Sequence, residues 1–315
     1  MQTGTTKLSV IGAGSVGVAI AYAALIRGSA DVVALHDLQA AKVEAEVLDL
    51  AHGTQFLGSK RVEGGSDLAV IEGSDVVVIT AGAKQQPGET RLALGSRNAE
   101  ILKALMPGIR EHAPDAIVVL VTNPCDVLTV VAQREGGLDP ARVLSSGTVL
   151  DSSRLRWRLS ELVGVDARSI HALMIGEHGD SEFPLWSRAK IGPVLVREWQ
   201  EDGRPRFSQA DLDQVADEVV HAAYRVIAGK GATSSAIGVS TTRIVEAILR
   251  DEHAVLPVSS ILSGQHGIDG IALSLPTVVG RGGIQRVIEV PTEPEELAAL
   301  HRSAEAIEGS LRTLA

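Results

Sequence analysis

His178 stands in Gly176-Glu177-His178-Gly179-Asp180, a glycine-bounded turn after a run that reads as a strand. Imidazole gains and loses a proton near neutral pH, so His178 is a candidate proton donor and acceptor. Asp151 and Arg154 lie three residues apart in Asp151-Ser152-Ser153-Arg154, within a stretch that reads as a helix, and therefore share one face. A carboxylate such as Asp151, set against the far ring nitrogen of a histidine, fixes its tautomer and favours its charged form. The planar guanidinium of Arg154 can grip a carboxylate through two parallel bonds, which lysine cannot imitate. Arg91 ends the segment Thr80–Arg91, with Pro87-Gly88 before it and Gly95 after; Asn123 precedes Pro124 at the end of another strand-like run. Together these groups suit proton transfer to a small anionic molecule.

Such side chains need a scaffold, and the chain supplies one by alternation. Leu8–Ile11, Val32–His36, Val76–Thr80, Ile117–Thr122 and Val143–Ser145 read as strands buried on both faces. Ser15–Arg27, Ala40–Ala51, Thr90–His112 and Cys125–Glu135 read as the helices between them. The alternation predicts an α/β fold: an N-terminal doubly wound parallel (Rossmann) sheet, with ligands gathering on the loops that follow the strands. Beyond it, a helix over Val149–Val163 leads to strand-like Ile170–Ile175. Helices over Gln209–Ala228 and Ser234–Arg250 follow, then strand-like Val255–Leu262, Ile271–Val279 and Ile284–Glu289, and a helix from about Pro294. That half reads as a C-terminal α+β catalytic domain, which sets the domains at 1–147 and 148–315.

The turn after the first strand, Gly12-Ala13-Gly14-Ser15-Val16-Gly17, opens a helix directly. Gly12 permits the tight turn, Gly14 lets backbone approach a pyrophosphate, and Gly17 lets helix and strand pack closely. The helix N-terminus offers free N–H groups and a positive dipole end to phosphates. Asp37 ends the next strand, 20 residues after Gly17, where its carboxylate can accept from a ribose and would repel a 2′-phosphate. Neither Leu38 nor Gln39 offsets that charge, so NAD is expected rather than NADP.

Composition narrows the classes. A chain of 315 residues fits two domains sharing one cleft, and 45% hydrophobic residues supply a core. A net charge of −10 and 3% aromatic residues argue against a nucleic-acid surface. The lone cysteine, Cys125, excludes an internal disulfide and reads as a buried inert thiol. No apolar signal core opens the chain, and runs such as Ala116–Val121 are too short to span a bilayer, so a soluble, cytoplasmic protein without membrane attachment is expected. No metal is called for.

Four segments in order behind the glycine turn, Thr80–Arg91, Val121-Thr122-Asn123-Pro124, Asp151–Arg154 and Gly176–Asp180, resemble the lactate/malate dehydrogenase family from about residue 7 to about residue 310. The resemblance implies reversible NAD-dependent reduction of a 2-keto acid, with His178 giving its proton to the forming alkoxide and Asp151 orienting it. It implies that Arg154 anchors the substrate carboxylate and that Arg91 closes over the substrate on a lid and polarises its carbonyl. It sets Asn123 near the nicotinamide and the substrate carbonyl, with a cis bond before Pro124. Thr80, Ala81 and Gly82 join Gly12, Gly14, Ser15, Val16, Gly17 and Asp37 among its cofactor contacts.

Members acting on malate carry arginine six residues before the lid arginine; here that position is Gln85. An oxaloacetate carboxylate buried there unpaired would cost several kcal/mol, so pyruvate and L-lactate are the expected pair, with Thr233 keeping the pocket small. A relative acting on malate or on a branched 2-keto acid is the alternative, and a non-catalytic NAD-binding protein the remaining one. Arg156, roughly 200° round the helix from Arg154, and His171 match positions that bind fructose 1,6-bisphosphate between subunits in bacterial members. The resemblance thus implies a homotetramer activated by that sugar bisphosphate.

Overall fold

Six short runs become parallel strands: β1 (Lys7–Ile11), β2 (Val32–His36), β3 (Arg61–Gly65), β4 (Val76–Ile79), β5 (Ile117–Leu120) and β6 (Val143–Ser145). Between and after them come α1 (Ser15–Arg27), α2 (Ala40–Gly53), α3 (Arg91–His112), α4 (Cys125–Gly136) and α5 (Val149–Val163). The computed structural model describes residues 4–58, 60–83 and 91–314, with backbone alone at 91–93. The strands order as β6-β5-β4-β1-β2-β3, all parallel. The order reverses between β1 and β4, and the crevice at such a reversal is where a doubly wound sheet takes its ligand.

The sheet does not stop at β6. Ser259–Ser263 pairs antiparallel with β6, and Asp269–Ser274 pairs antiparallel with Ser259–Ser263, so the second half of the chain extends the first half's sheet. The later helices are α6 (Gln209–Val220), α7 (Ala222–Lys230), α8 (Ser235–Leu249) and α9 (Pro294–Leu314). On one face of the sheet, Ile20, Ala24 and Leu25 of α1 pack with Ile244, Val245 and Ile248 of α8. A Cβ at Gly238 would sit 2.8 Å from the Ala19 carbonyl oxygen, so α1 and α8 are nearly in backbone contact. The opposite face is covered by Leu102, Met106 and Ile109 of α3 with Leu128 and Val131 of α4. Side chains such as Leu8, Val10 and Val78 are fully buried between the layers, each contributing roughly 1.5–3 kcal/mol of transfer free energy. Among the described residues no helix is long and apolar enough to cross a membrane.

Several boundaries differ from those read in the sequence, each for a physical reason. β3 went unread because its side chains are largely unburied and two of its five residues are glycines. The run Ile170–Ile175 changes partner midway: Ile170–His171 pairs with Lys190–Ile191, and Met174–Ile175 with Phe183–Pro184. Val255–Leu262 divides at Pro257 into Ala254–Leu256 and Ser259–Ser263, which belong to different sheets. Likewise Ile271–Val279 divides at Leu275-Pro276, since proline offers no ladder donor. The helix expected over Gln209–Ala228 breaks at His221, because the buried stripe of α6 ends at Val219 and α7 buries no residue. Thr80 and Val121-Thr122 lie just past β4 and β5, on the loops above the sheet.

Candidate active site

The loop between β1 and α1 is shaped by steric exclusion. Gly12 adopts φ +109°, a left-handed region closed to most side chains. A Cβ on Gly17 would fall 1.9 Å from the Gly12 carbonyl oxygen. Thr80 donates its hydroxyl to that same carbonyl at 2.9 Å, and the Ala81 N–H bonds to the Ile11 carbonyl at 2.8 Å, so β4's loop braces the turn. Gly82 is pressed against Thr122, where a Cβ would meet Cγ2 at 2.4 Å. Gly14 is the N-cap of α1 and brings no side-chain cap, which leaves the helix's first N–H groups, around Ser15 and Val16, without an internal acceptor. A Cβ at Gly14 would meet nothing within 4 Å, so the loop's outer side is open.

Asp37 closes this end. Its Oδ2 accepts from the Ala13 N–H at 2.9 Å and its Oδ1 from the Gln39 N–H at 3.1 Å. Burial alone would raise its pKa, but those amides and Lys42 hold it below the usual carboxylate range. Lys42 Nζ lies 3.6 Å from Oδ2, so the cation that Leu38 and Gln39 do not supply comes from the first turn of α2. An uncapped helix start, an open face over Gly14 and a carboxylate at the end of β2 fit the pyrophosphate and ribose of a dinucleotide.

Some distance along the sheet edge, one carboxylate organises the charged groups. Asp151, on the first turn of α5, is 2% exposed; its Oδ1 accepts from Arg154 Nη1 at 2.6 Å and its Oδ2 lies 2.9 Å from His178 Nδ1. The second contact is close but off-line, and neither atom completes an aligned hydrogen bond. At that separation and an effective dielectric near 20, the attraction is about 6 kcal/mol, comparable with the several kcal/mol lost on desolvating each ion. Pairing with His178 thus offsets a large part of the cost of burying the charges, and the Arg154 contact on Oδ1 adds to it. Burial by itself would push the His178 pKa down, but the Asp151 charge overrides it and drives the pKa well up. Reciprocally, burial would raise Asp151, and the charges of His178 and Arg154 bring it below the usual range. His178 is 26% exposed and Arg154 17%, so neither is sealed from solvent.

Two carboxyls that the sequence reading passed over stand beside this pair. Asp126, at the start of α4, is fully buried and accepts the backbone N–H of His178 itself at 2.7 Å. Desolvation pushes its pKa up to about 6. Glu182 follows His178 by four residues, with Oε2 3.9 Å from Nδ1, and burial together with the Asp151 charge holds it far above the usual carboxylate range. The only sequence hint was their closeness to Asn123 and His178; partners 52 residues apart leave no periodic signal. Cys125 is buried and its thiol is pushed up to about 12, chiefly by desolvation.

Asn123 is exposed on its loop, and the bond to Pro124 is cis. Its carbonyl accepts from Asn98 Nδ2 at 2.8 Å, while Asn98 Oδ1 accepts the Ala83 N–H at 2.7 Å, so buried Asn98 ties the β4 and β5 loops together. Arg154 and Thr233 line one cavity of about 320 Å³ with Leu150, Trp157 and Lys230. Lys230 gives that cavity a cation the sequence reading had not counted, its Nζ 3.3 Å from Ser234 Oγ. Tyr224 of α7 donates to Asp180 at 2.8 Å, joining that helix to the histidine turn. Arg156 turns away from Arg154 and donates from Nε to the Ala172 carbonyl at 2.9 Å, next to exposed His171. Gln85, Lys84 and the lid segment 84–90 lie outside the described residues, as does the side chain of Arg91.

Residues 6–145 match the family described as lactate/malate dehydrogenase, NAD binding domain, and residues 148–314 match lactate/malate dehydrogenase, alpha/beta C-terminal domain. The chain is 46% identical over 303 residues to an L-lactate dehydrogenase of Bifidobacterium animalis subsp. lactis, covering 96% of this chain and 95% of that one. It is 48% identical over 298 residues to an L-lactate dehydrogenase of a Synechococcus strain, covering 95% and 96%. Among solved structures, the minor L-lactate dehydrogenase of Enterococcus mundtii superposes with a TM-score of 0.94 at 38% identity, over 99% of both chains. A lactate dehydrogenase from a deep-sea metagenome library gives 0.94 at 36% identity, over 98% of this chain and 99% of that one.

Proposed function

The chain belongs to the lactate/malate dehydrogenase family, and we infer that it is an NAD-dependent L-lactate dehydrogenase that interconverts pyruvate and L-lactate. The observation that carries this reading is the shared carboxylate of Asp151, which holds the imidazole of His178 on one oxygen and the guanidinium of Arg154 on the other. Residues 1–147 form the NAD-binding unit and 148–315 the substrate unit. Asp37 and the turn Gly12–Gly17, with Thr80, Ala81, Gly82 and Asn123, hold the dinucleotide. When bound, NADH supplies the hydride.

With Nδ1 turned to Asp151, Nε2 is the nitrogen of His178 left to deliver a proton to the forming alkoxide. Asp151 keeps the ring charged until that moment and fixes its tautomer. Arg154 grips the substrate carboxylate with guanidinium nitrogens not committed to Asp151. Arg91 polarises the carbonyl from the lid, and Asn123 orients it. Thr233 keeps the methyl end of the cavity small, and Gln85 leaves a second carboxylate without a partner from the lid. A spectrophotometric NADH-oxidation assay comparing pyruvate, oxaloacetate and a branched 2-keto acid tests this directly. Because Lys230 lines the same cavity, the oxaloacetate arm is the decisive one: equal or higher kcat/KM for oxaloacetate would replace the lactate reading with a malate one.

The finer reading is of a cytoplasmic homotetramer activated by fructose 1,6-bisphosphate at Arg156 and His171. It is supported by the position of Arg156, whose guanidinium is anchored one residue from His171. A sugar bisphosphate bridging subunits there would favour the association state in which α5, and so Arg154, is correctly set. Adding the bisphosphate at neutral pH should lower the KM for pyruvate and raise the tetramer fraction seen by sedimentation; no change in either removes this part of the reading.

A further inference from the structure

Three buried polar atoms without an aligned hydrogen-bond partner among the described residues meet behind the imidazole: Asp151 Oδ2, His178 Nδ1 and Glu182 Oε2. Oδ2 lies 2.9 Å and Oε2 3.9 Å from Nδ1, and the three side chains each bring one polar atom within 4.8 Å of the other two. The Asp151 and Glu182 side chains are 2% and 3% exposed, so water does little to screen them. From α5 the groups acting on Glu182 are Asp151 and Arg154, and from its own turn His178. From α4, Cys125 is a buried thiol and the Asp126 carboxylate is engaged by the His178 amide. Glu177, on the same turn, is taken up by Ser181, whose hydroxyl also meets Ser303 of α9.

This arrangement decides where protons sit. Two carboxylates this close cannot both ionise cheaply in a dry pocket. Asp151 has a guanidinium on one oxygen and an imidazole on the other, so it takes the charge. Among the described residues Glu182 has the longer approach of Nδ1, at 3.9 Å, and the charge of Arg154, which is paired with Asp151, and it is left holding a proton. Once it ionises, its charge acts on the ring from the side opposite the cleft, and the two groups titrate as a linked pair.

We propose that Glu182 is a positioning residue of the proton-transfer unit: its carboxyl stays protonated behind Nδ1 at neutral pH and gives up that proton in the alkaline range, in a titration linked to that of His178. The resulting negative charge keeps the imidazole protonated further into alkaline solution. The role acts through His178 and rests on the reading of His178 as the proton donor to pyruvate. Nothing in it requires Glu182 to touch the substrate.

The test is the pH profile of kcat/KM for pyruvate in the wild type and in Glu182→Gln, from roughly pH 6 to pH 10, where this parameter reports the free enzyme's essential acid. Glutamine keeps the shape of the side chain and cannot ionise. At the acid end E182Q retains measurable turnover, while its alkaline limb moves to lower pH by about one unit or more, from the charge it has lost. Coincident limbs in the two proteins overturn the proposal. Failure of the wild type to reduce pyruvate would instead overturn the underlying reading, so the two failures are distinguishable. Should E182Q not fold, a 13C titration of glutamate-labelled wild type decides the matter: one δ-carbon resonance is still protonated at neutral pH and titrates in the alkaline range. A spectrum in which every glutamate is ionised at neutral pH overturns the proposal as well.

Discussion

The nucleotide end and the imidazole end of the cleft are built on opposite principles. Around Gly12 and Gly17 the decisive contacts are backbone against backbone, and the polar side chains nearby, Thr80 and Asp37, serve to hold the loop. Around His178 the decisive contacts are between buried charges, drawn from α4, α5 and the histidine turn. Steric exclusion tolerates no added atom but ignores pH. Charge pairing tolerates small changes of shape but depends on protonation. The two ends should therefore fail separately and by different routes.

Neutralising Asp151 is the severest challenge to that contrast. Asp151→Asn should lower kcat/KM for pyruvate by about four orders of magnitude, the scale seen when the carboxylate orienting a catalytic imidazole is lost, while NADH affinity by fluorescence titration changes less than about twofold. Loss of NADH affinity in this variant would mean that the two ends are one unit. Next in size, Arg154→Lys keeps a cation but removes the fork, and kcat/KM for pyruvate should fall about 100-fold, again with NADH binding intact.

At the nucleotide end, a pair of glycine variants separates folding from binding. Gly17→Ala forces a Cβ to within 1.9 Å of the Gly12 carbonyl, so it should both lower Tm by several degrees and weaken NADH at least about tenfold. Gly14→Ala meets no protein atom, so Tm should hold while NADH affinity drops about tenfold through contact with the pyrophosphate. Equal effects of both variants on Tm would contradict the open face assigned to Gly14.

The mildest perturbation is pH. Because the His178 pKa is raised, pyruvate reduction should keep its plateau past the ordinary histidine value near 6.5 and fall only on the alkaline side. The stabilising contribution of His178 is fully present below that ordinary value and is lost as pH climbs through the raised one. Asp37 and Asp151, both lowered, contribute above the ordinary aspartate range and lose their contribution as pH falls below it. Stability followed by Tm should thus decline toward both extremes, whereas NADH affinity stays flat across the neutral range. A bell-shaped NADH affinity there would place a titrating group at the nucleotide end.

Much of the nucleotide end was legible because its logic is local: a strand, a glycine turn and a helix follow one another within twenty-odd residues. The charged end was legible only in part. His178, Asp151 and Arg154 could be singled out by residue type, turn and helical spacing. Asp126 and Glu182 could not, since an acidic residue beside a motif looks the same in sequence whether it faces water or a buried imidazole. The later strands were misjudged because apolar runs show where strands form but not which neighbour they join. Pro257 and Pro276 were visible signals that those runs divide.

By itself the sequence determined the alternation of strands and helices through most of the first half and the glycine turn, because both follow from residue type and short-range periodicity, and it offered His178, Asp151 and Arg154 as candidates whose roles the resemblance implied. Only the tertiary structure decided that residues 259–274 extend the first half's sheet, that Asp126 holds the His178 amide, and that Glu182 closes the pocket behind the ring. Those outcomes depend on which distant segments share a dry interior. There, desolvation and charge pairing depend on distance in space, which separation along the chain does not encode.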